Sequence, residues 1–268
     1  MTNVNDDFNS KSVLKILGAN GGKQKGMELT SIQLSSHIII DAGNIINALD
    51  DEISEIHHIF ITHTHLDHII DIGLLIDTTF DKRIIPLKVY GTKGSIENIK
   101  KYIFNWDIWP DFSTINLPNS DLFALEFIEI QLNETIVVDD CKLKAVKNNH
   151  TSTSNGYVVT KANKSILITS DTYCCKEIWE EVNTNLNISS IIIDISFPSS
   201  MDQLAFDSKH LTPQLLKNEL ESLYREDVVV YASHIKPSCY EEVCTEIEEF
   251  GLLKNGGKVL AKQDIVTF

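Results

Sequence analysis

Ile59-Phe60-Ile61-Thr62-His63-Thr64-His65-Leu66-Asp67-His68 is the stretch whose reading decides the fold. An apolar run leads directly into three histidines and a carboxylate. In an extended segment, side chains two apart share a face, so His63 and His65 lie side by side. A helix beginning at Asp67 puts that carboxylate and His68 in its first turn. Four ligand groups then converge from two sides of a strand-to-helix turn. Imidazole with carboxylate suits zinc, iron or manganese rather than calcium or magnesium alone. This is more than one open tetrahedral zinc takes from a protein, which favours a two-metal site. The competing reading is a polar loop with chance histidines, and it has no account of the partners downstream.

Those partners stand at the ends of predicted strands. His150 follows Lys147-Asn148-Asn149, and Asp171 follows Ile166-Leu167-Ile168-Thr169-Ser170. Asp194 ends Ile191-Ile192-Ile193, and His234 follows Val228-Val229-Val230-Tyr231-Ala232-Ser233. His210 lies just before Thr212-Pro213, where threonine as N-cap and proline at the first helical position announce a helix. Any one of these alone is an ordinary polar loop residue. Together they occupy the strand ends where layered α/β folds carry functional groups. Asp41 reads equally as a turn carboxylate or as support behind the metals. His37, His57 and His58 lack the pattern and are read as structural or solvated.

Composition narrows the classes. The chain has 268 residues, 43% apolar and 8% aromatic, as an ordinary globular protein does. Its net charge of −15 disfavours non-specific binding to nucleic acid or anionic membranes. A small anionic substrate stays compatible, because bound cations dominate the local field of a site. Five cysteines without framework spacing read as reduced thiols of a cytoplasmic protein. No leader and no membrane span is expected.

Along the chain the pattern predicts strands at Val13–Leu17, Met27–Leu34, Ile38–Ile40, His57–Ile61 and Ile84–Tyr90, with Pro86 marking an edge or bulge. Further β segments are predicted at Leu122–Leu132, Thr135–Val138, Leu143–Val146, Tyr157–Thr160, Ser165–Thr169, Ser190–Ile195 and Asp227–Tyr231. Helices are predicted at Asn44–Glu55, Asp67–Phe80, Ser95–Phe104, Lys176–Val182, from Thr212-Pro213 to about Tyr224, and Tyr240–Phe250. Strand-rich segments framed by helices recur in two halves, about 11–120 and 121–268. The expectation is a single α/β domain over 1–268, with two packed sheets and helices outside. The run Phe104-Asn105-Trp106-Asp107-Ile108-Trp109-Pro110-Asp111-Phe112 reads as an aromatic plug on the core, a substrate lid or a dimer contact. A homodimer is left open.

His63-Thr64-His65-Leu66-Asp67-His68 resembles the signature of the metallo-β-lactamase fold, and the resemblance covers nearly the whole chain. It implies a four-layer αββα sandwich with a dimetal site at one edge of the sheets. His63, His65 and His150 would hold one metal, Asp67, His68 and His234 the other, and Asp171 would bridge them. The aromatic run, Ser196-Phe197-Pro198, His210-Leu211-Thr212-Pro213 and His234-Ile235-Lys236-Pro237 resemble, in the same order, class II cyclic-nucleotide phosphodiesterases. Departures are Asp71 where a small residue is usual, Asp194 where a glutamate is expected, and Ser199-Ser200 where an asparagine is common. The implied reaction is hydrolysis of a 3′,5′-cyclic nucleotide, cAMP or cGMP, to a 5′-nucleotide through a metal-bridging hydroxide. The cofactors would be two divalent ions, zinc first, with manganese and iron as alternatives. Asp67 and His210 would be catalytic, His210 protonating the leaving oxygen. Thr212 would bind a phosphate oxygen or cap its helix, and Trp106, Trp109 or Phe112 would stack on the base. Three rivals stand beside this reading: a tRNA 3′-processing endonuclease, a lactamase or thioesterase-like hydrolase, and a non-enzymatic nucleotide sensor.

Overall fold

The computed structural model describes residues 12–268. Its strands are β1 (Val13–Gly18), β2 (Ser31–Gln33), β3 (Ile38–Ile40), β4 (His58–Phe60), β5 (Leu87–Thr92), β6 (Leu125–Ile130), β7 (Thr135–Val138), β8 (Cys141–Lys147), β9 (Asn155–Lys161), β10 (Lys164–Ile168), β11 (Ile188–Asp194), β12 (Val229–Ser233) and β13 (Ile265–Thr267). The helices are α1 (Ile46–Leu49), α2 (Leu66–Thr79), α3 (Lys93–Tyr102), α4 (Lys176–Thr184), α5 (Asp202–Ser208), α6 (Pro213–Glu219) and α7 (Tyr240–Phe250).

The strands form two sheets. One has the order β13-β1-β2-β3-β4-β5-β6 and the other β12-β11-β10-β9-β8-β7. Strands β3 to β6 run parallel, as do β10 to β12. Parallel strands covered on both faces are apolar throughout, which is why Ile38–Ile40 and Ile191–Ile193 show no alternation with polar residues. The alternation is instead between two cores. Leu14, Ile38, Ile40, Phe60 and Tyr90 of the first sheet meet Leu143, Tyr157, Ile166, Ile168 and Ile192 of the second in a central core. Ile39, Ile59, Val89 and Leu125 point the other way, against Ile69, Ile72 and Ile76 of α2 and Ile96 and Ile99 of α3. Leu167, Ile191, Ile193 and Val230 pack against Ile178 of α4, Leu216 of α6 and Val243 and Ile247 of α7. The layers are therefore helix, sheet, sheet, helix, as expected. Phe60 stacks on Tyr90 with centroids 4.2 Å apart, so its loss to alanine removes about 3–5 kcal/mol of central packing.

Several expectations change in detail. The change of sheet falls between Ile130 and Thr135, and β13 returns to the first sheet beside β1. The second sheet therefore comes wholly from residues after 120, while the first also takes β6 and β13 from there. Pro86 does not sit on an edge: it precedes β5, which lies inside the sheet between β4 and β6. The predicted helix Asn44–Glu55 breaks at Asp50, whose φ of 44° is non-helical, into α1 and a 3-10 stretch Asp50–Glu55. The predicted strand Met27–Leu34 shrinks to β2, after a turn at Gly26 with φ 82°. Helix α5 was absent from the sequence-based expectation. Among the described residues, no helix is long and apolar enough to cross a membrane.

Candidate active site

The parallel strands deliver their polar ends to one edge of the sandwich. After β4 the chain turns through Thr62-His63-Thr64-His65 and enters α2 at Leu66, with extended His65 as N-cap. Asp67 and His68 fall in the first turn. From the second sheet come His150 after β8, Asp171 after β10, Asp194 at the end of β11 and His234 after β12. His210 lies between α5 and α6.

Two groups of ligand atoms form, sharing Asp171. In the first, Asp171 Oδ2 stands 3.5 Å from His63 Nε2 and 3.8 Å from His150 Nε2, and His65 Nδ1 is 3.1 Å from His150 Nε2. In the second, His234 Nε2 is 3.2 Å from Asp171 Oδ2 and 3.8 Å from Asp67 Oδ2. His68 Nε2 is 3.3 Å from Asp171 Oδ1 and 4.0 Å from Asp67 Oδ2. His210 joins Asp171 and His234 in a further group.

The ring nitrogens facing away from the centre are tied to acceptors. His68 Nδ1 donates to Asp41 Oδ2 at 2.7 Å, and His150 Nδ1 to the Lys209 carbonyl at 3.0 Å. Nδ1 of His234 meets Thr30 Oγ1 at 2.9 Å, and Nδ1 of His63 meets Thr62 Oγ1 at 3.1 Å. Thr62 Oγ1 itself donates to Asp41 Oδ2, so it receives the His63 proton. This wiring leaves bare lone pairs on the Nε2 atoms turned inward. His63 Nε2, His68 Nε2, Asp171 Oδ1 and His234 Nε2 are all buried without a hydrogen-bond partner. Buried polar atoms are rarely left so, and an unsatisfied one costs about 1–3 kcal/mol. Ligands held about 2.0–2.2 Å from a tetrahedral cation stand roughly 3.3–3.6 Å from one another, close to the separations above. The donor set and its spacing fit divalent metal ions.

Electrostatics follow from this crowding. Burial, then the His68 charge, holds His63 well below the usual histidine range. Burial also lowers His65 and His150. Burial works against protonation of His68, but Asp171 and Asp41 outweigh it and raise the group well above its ordinary value. Burial opposes ionisation of Asp171, yet His234 and His68 hold it well below the usual carboxylate range.

His210 is held differently. Its Nδ1 donates to Asp194 Oδ2 at 2.8 Å, and its ring stacks on His234 with centroids 5.5 Å apart. Asp194 is buried and also accepts from Thr172 N and Ser196 Oγ, at 3.0 and 2.7 Å. Burial lowers the His210 pKa, but the Asp194 carboxylate outweighs it and raises the group overall. Asp194, noted as a departure, supplies the orienting carboxylate.

Thr212 caps α6, its Oγ1 accepting from Leu215 N at 3.3 Å. The aromatic run divides. Phe104 and Phe112 are buried in the outer core, while Trp106 is 63% exposed. Trp109 donates through Nε1 to the Gly73 carbonyl at 3.1 Å. It lines an apolar groove of about 260 Å³ with Leu66, Ile69, Ile70, Leu74 and Ile108. Leu66 stands between His65 and Asp67, so the groove begins beside the ligand cluster. His37, His57 and His58 lie at the other end of β3 and β4.

Residues without a sequence signal complete the site. Thr30, Thr62 and the Lys209 carbonyl orient three histidines, and Asn148 donates to the Thr169 and Asp171 carbonyls at 3.1 Å each. Asp71, the second departure, accepts from Ile45 N and Ile46 N at 2.6 and 3.1 Å and so holds the start of α1.

The architecture and the ligand cluster define a protein of the metallo-β-lactamase fold. Among solved structures, unliganded yeast PDE1 is similar at TM-score 0.77, with 18% identity over 96% of this chain and 99% of that one. YhfI from Bacillus subtilis, a metallo-β-lactamase fold protein, is similar at 0.73, with 15% identity over 95% and 98%. The short form of human tRNase Z is similar at 0.66, with 14% identity over 95% and 98%. Within the fold, residues 23–239 match the family of class-II cAMP phosphodiesterases, and the chain belongs to that family. A Yersinia pestis protein named "Probable 3′,5′-cyclic-nucleotide phosphodiesterase" is 25% identical over 67% of this chain and 57% of its own length. The 3′,5′-cyclic-nucleotide phosphodiesterase 1 of Saccharomyces cerevisiae is 26% identical over 61% and 50%. The chain thus matches about half the length of these curated relatives.

Proposed function

We propose that the chain hydrolyses 3′,5′-cyclic nucleotides to 5′-nucleotides with two divalent metal ions. One observation carries the reading. Unpaired, buried ligand atoms of His63, His68, Asp171 and His234 converge beside the His210–Asp194 pair, in a member of the class II family. We assign His63, His65 and His150 to one ion, Asp67, His68 and His234 to the other, and Asp171 to both. Bound ions would neutralise phosphoryl charge and lower the pKa of a water toward 7. Zinc suits the donors first, and manganese or iron shares their chemistry.

The chain's own residues supply the rest. Asp67, whose side chain is 23% exposed against 2% for Asp171, sits at the open side and takes the proton of the attacking water. His210 gives a proton from Nε2 to the 3′ oxygen as the phosphorus–oxygen bond breaks. Asp194 fixes its tautomer through Nδ1 and stabilises the imidazolium. Thr212, by capping α6, fixes the loop that carries His210. The apolar groove from Leu66 to Trp109 receives the base. A cytoplasmic setting agrees with five free cysteines.

The test is an assay of metal-loaded protein on cAMP, cGMP, a chromogenic phosphodiester and pre-tRNA. Turnover of cAMP or cGMP, lost on chelation, is expected. Inertness on both with turnover of pre-tRNA or the chromogenic diester overturns the substrate and keeps a hydrolytic site. No turnover of any substrate at full metal loading overturns the reading as a whole.

A further inference from the structure

The far end of β3 and β4 carries a second cluster. His37, in the turn before β3, and Glu55 and His57, before β4, bring one ligand atom each within 4.8 Å of one another. The two rings are tilted by 32° with centroids 5.2 Å apart. The backbone binds these segments together, since His57 N and His58 N both donate to the His37 carbonyl at 3.0 Å. Asp139, in the β7–β8 turn of the other sheet, places Oδ2 3.4 Å from His37 Nδ1. His37 and Asp139 border a surface depression of about 280 Å³, with Ser35, Ser36 and Asp140. His57 Nδ1 is buried and has no hydrogen-bond partner.

We propose that His37, Glu55 and His57 form a separate transition-metal site of the zinc type at the end remote from the active site, with Asp139 of the other sheet beside the His37 ring. Two imidazoles and one carboxylate are a donor set that zinc takes with water in the fourth position. The Glu55 carboxylate offsets part of the divalent charge. The His57-to-His63 span of six residues, largely extended, separates this cluster from the active site by roughly 20 Å. Loss of its metal therefore leaves the chemistry at His63 untouched.

The experiment uses untagged protein, stripped with chelator and reloaded with zinc in a non-coordinating buffer. Zinc per chain is counted by elemental analysis after gel filtration, and thermal unfolding is followed with and without zinc. The H37N/H57N double variant should hold one zinc fewer than wild type and lose part of the zinc-induced rise in Tm. Its hydrolysis of whichever phosphodiester the wild type turns over should stay within about twofold. Asp171→Asn, altered only at the active site, should keep the remote zinc. Equal zinc counts and equal Tm rises in wild type and double variant overturn the site. Should the double variant not fold, Glu55→Gln on an exposed side chain serves. It should weaken binding of that one zinc at least tenfold, and unchanged affinity overturns the proposal. Counting does not depend on turnover, so this site and the hydrolytic reading fail separately.

Discussion

Asp41→Asn is the sharpest perturbation of the site, because it changes no proposed ligand and keeps the shape. Asp41 is 1% exposed. Its Oδ1 accepts from Thr62 N at 2.8 Å, and its Oδ2 from Thr62 Oγ1 at 2.8 Å and His68 Nδ1 at 2.7 Å. Its φ is 58°, a region asparagine also tolerates, so backbone strain does not confuse the result. The amide can be placed two ways, and neither is free. With NH₂ toward Thr62 N, a buried amide loses its acceptor, at about 1–3 kcal/mol. With NH₂ toward His68, the ring turns to the other tautomer and puts a proton on the Nε2 that faces Asp171. The lone pair offered to the metal is then gone. Loss of such an orienting partner lowers metal affinity by about 10–100-fold, which is about 1.4–2.7 kcal/mol. The assay is chelator competition for zinc, with urea unfolding of the stripped protein alongside. Metal affinity within twofold of wild type, together with unchanged stability, would falsify the wiring assigned to His68 and Thr62.

His210→Ala should lower turnover by about 10²–10⁴ with metal content unchanged; loss of metal on elemental analysis would show that His210 is a ligand instead. Gly21→Ala puts a Cβ 2.7 Å from the His234 carbonyl and 2.8 Å from its ring. It should displace His234, weaken zinc binding and cost about 1–3 kcal/mol in urea unfolding, and a neutral result contradicts that packing. His58, half-buried against Tyr90, is lowered to about 4, with burial as the main cause. The unfolded chain takes up that proton first as pH falls, so this contribution is intact above about 6.5 and is lost as pH falls toward 4. After allowance for solvent screening it amounts to about 1–2 kcal/mol. His58→Gln should flatten the dependence of stability on pH between 6.5 and 4, and an unchanged slope counts against it. Trp109→Ala should raise KM for a cyclic nucleotide more than it lowers kcat, whereas a purely structural role would show in Tm with KM unmoved.

The residues of the cluster were legible because their chemistry is rare and their spacing is local. His63 to His68 announce themselves, and strand ends locate His150, Asp171 and His234. Helix α7 was readable to the residue from its apolar period, and α6 from its Thr-Pro start. The hydroxyls behind the histidines were not. Thr30 and Thr62 sit in or beside strands where threonine is commonplace, and a carbonyl such as that of Lys209 has no side-chain signature at all. Asp50 hides its break because aspartate is unremarkable in a short polar helix. The length of β2 was overestimated because apolar alternation continues past the residues that pair. The aromatic run was ambiguous for a plain reason: composition does not tell buried Phe112 from exposed Trp106.

The double coverage of the sheets bears on how the chain finds its register. Strands β3 and β4 are apolar toward both neighbouring layers, so a slip by one residue would exchange Phe60 for Ile59 or Ile61 without exposing anything apolar to water. Such patterning resists misalignment weakly. Polar residues at the two ends must do the aligning. At one end His57 and His58 share the His37 carbonyl; at the other Asp41 N reaches the Phe60 carbonyl at 2.9 Å while its carboxylate seizes Thr62. A slipped pair would bury Asp41 and Thr62 unmatched. The residues that shape the edge bearing the histidine cluster are thus also the alignment marks of folding. Sequence change that retunes the chemistry at that edge has to preserve a folding instruction written in the same side chains.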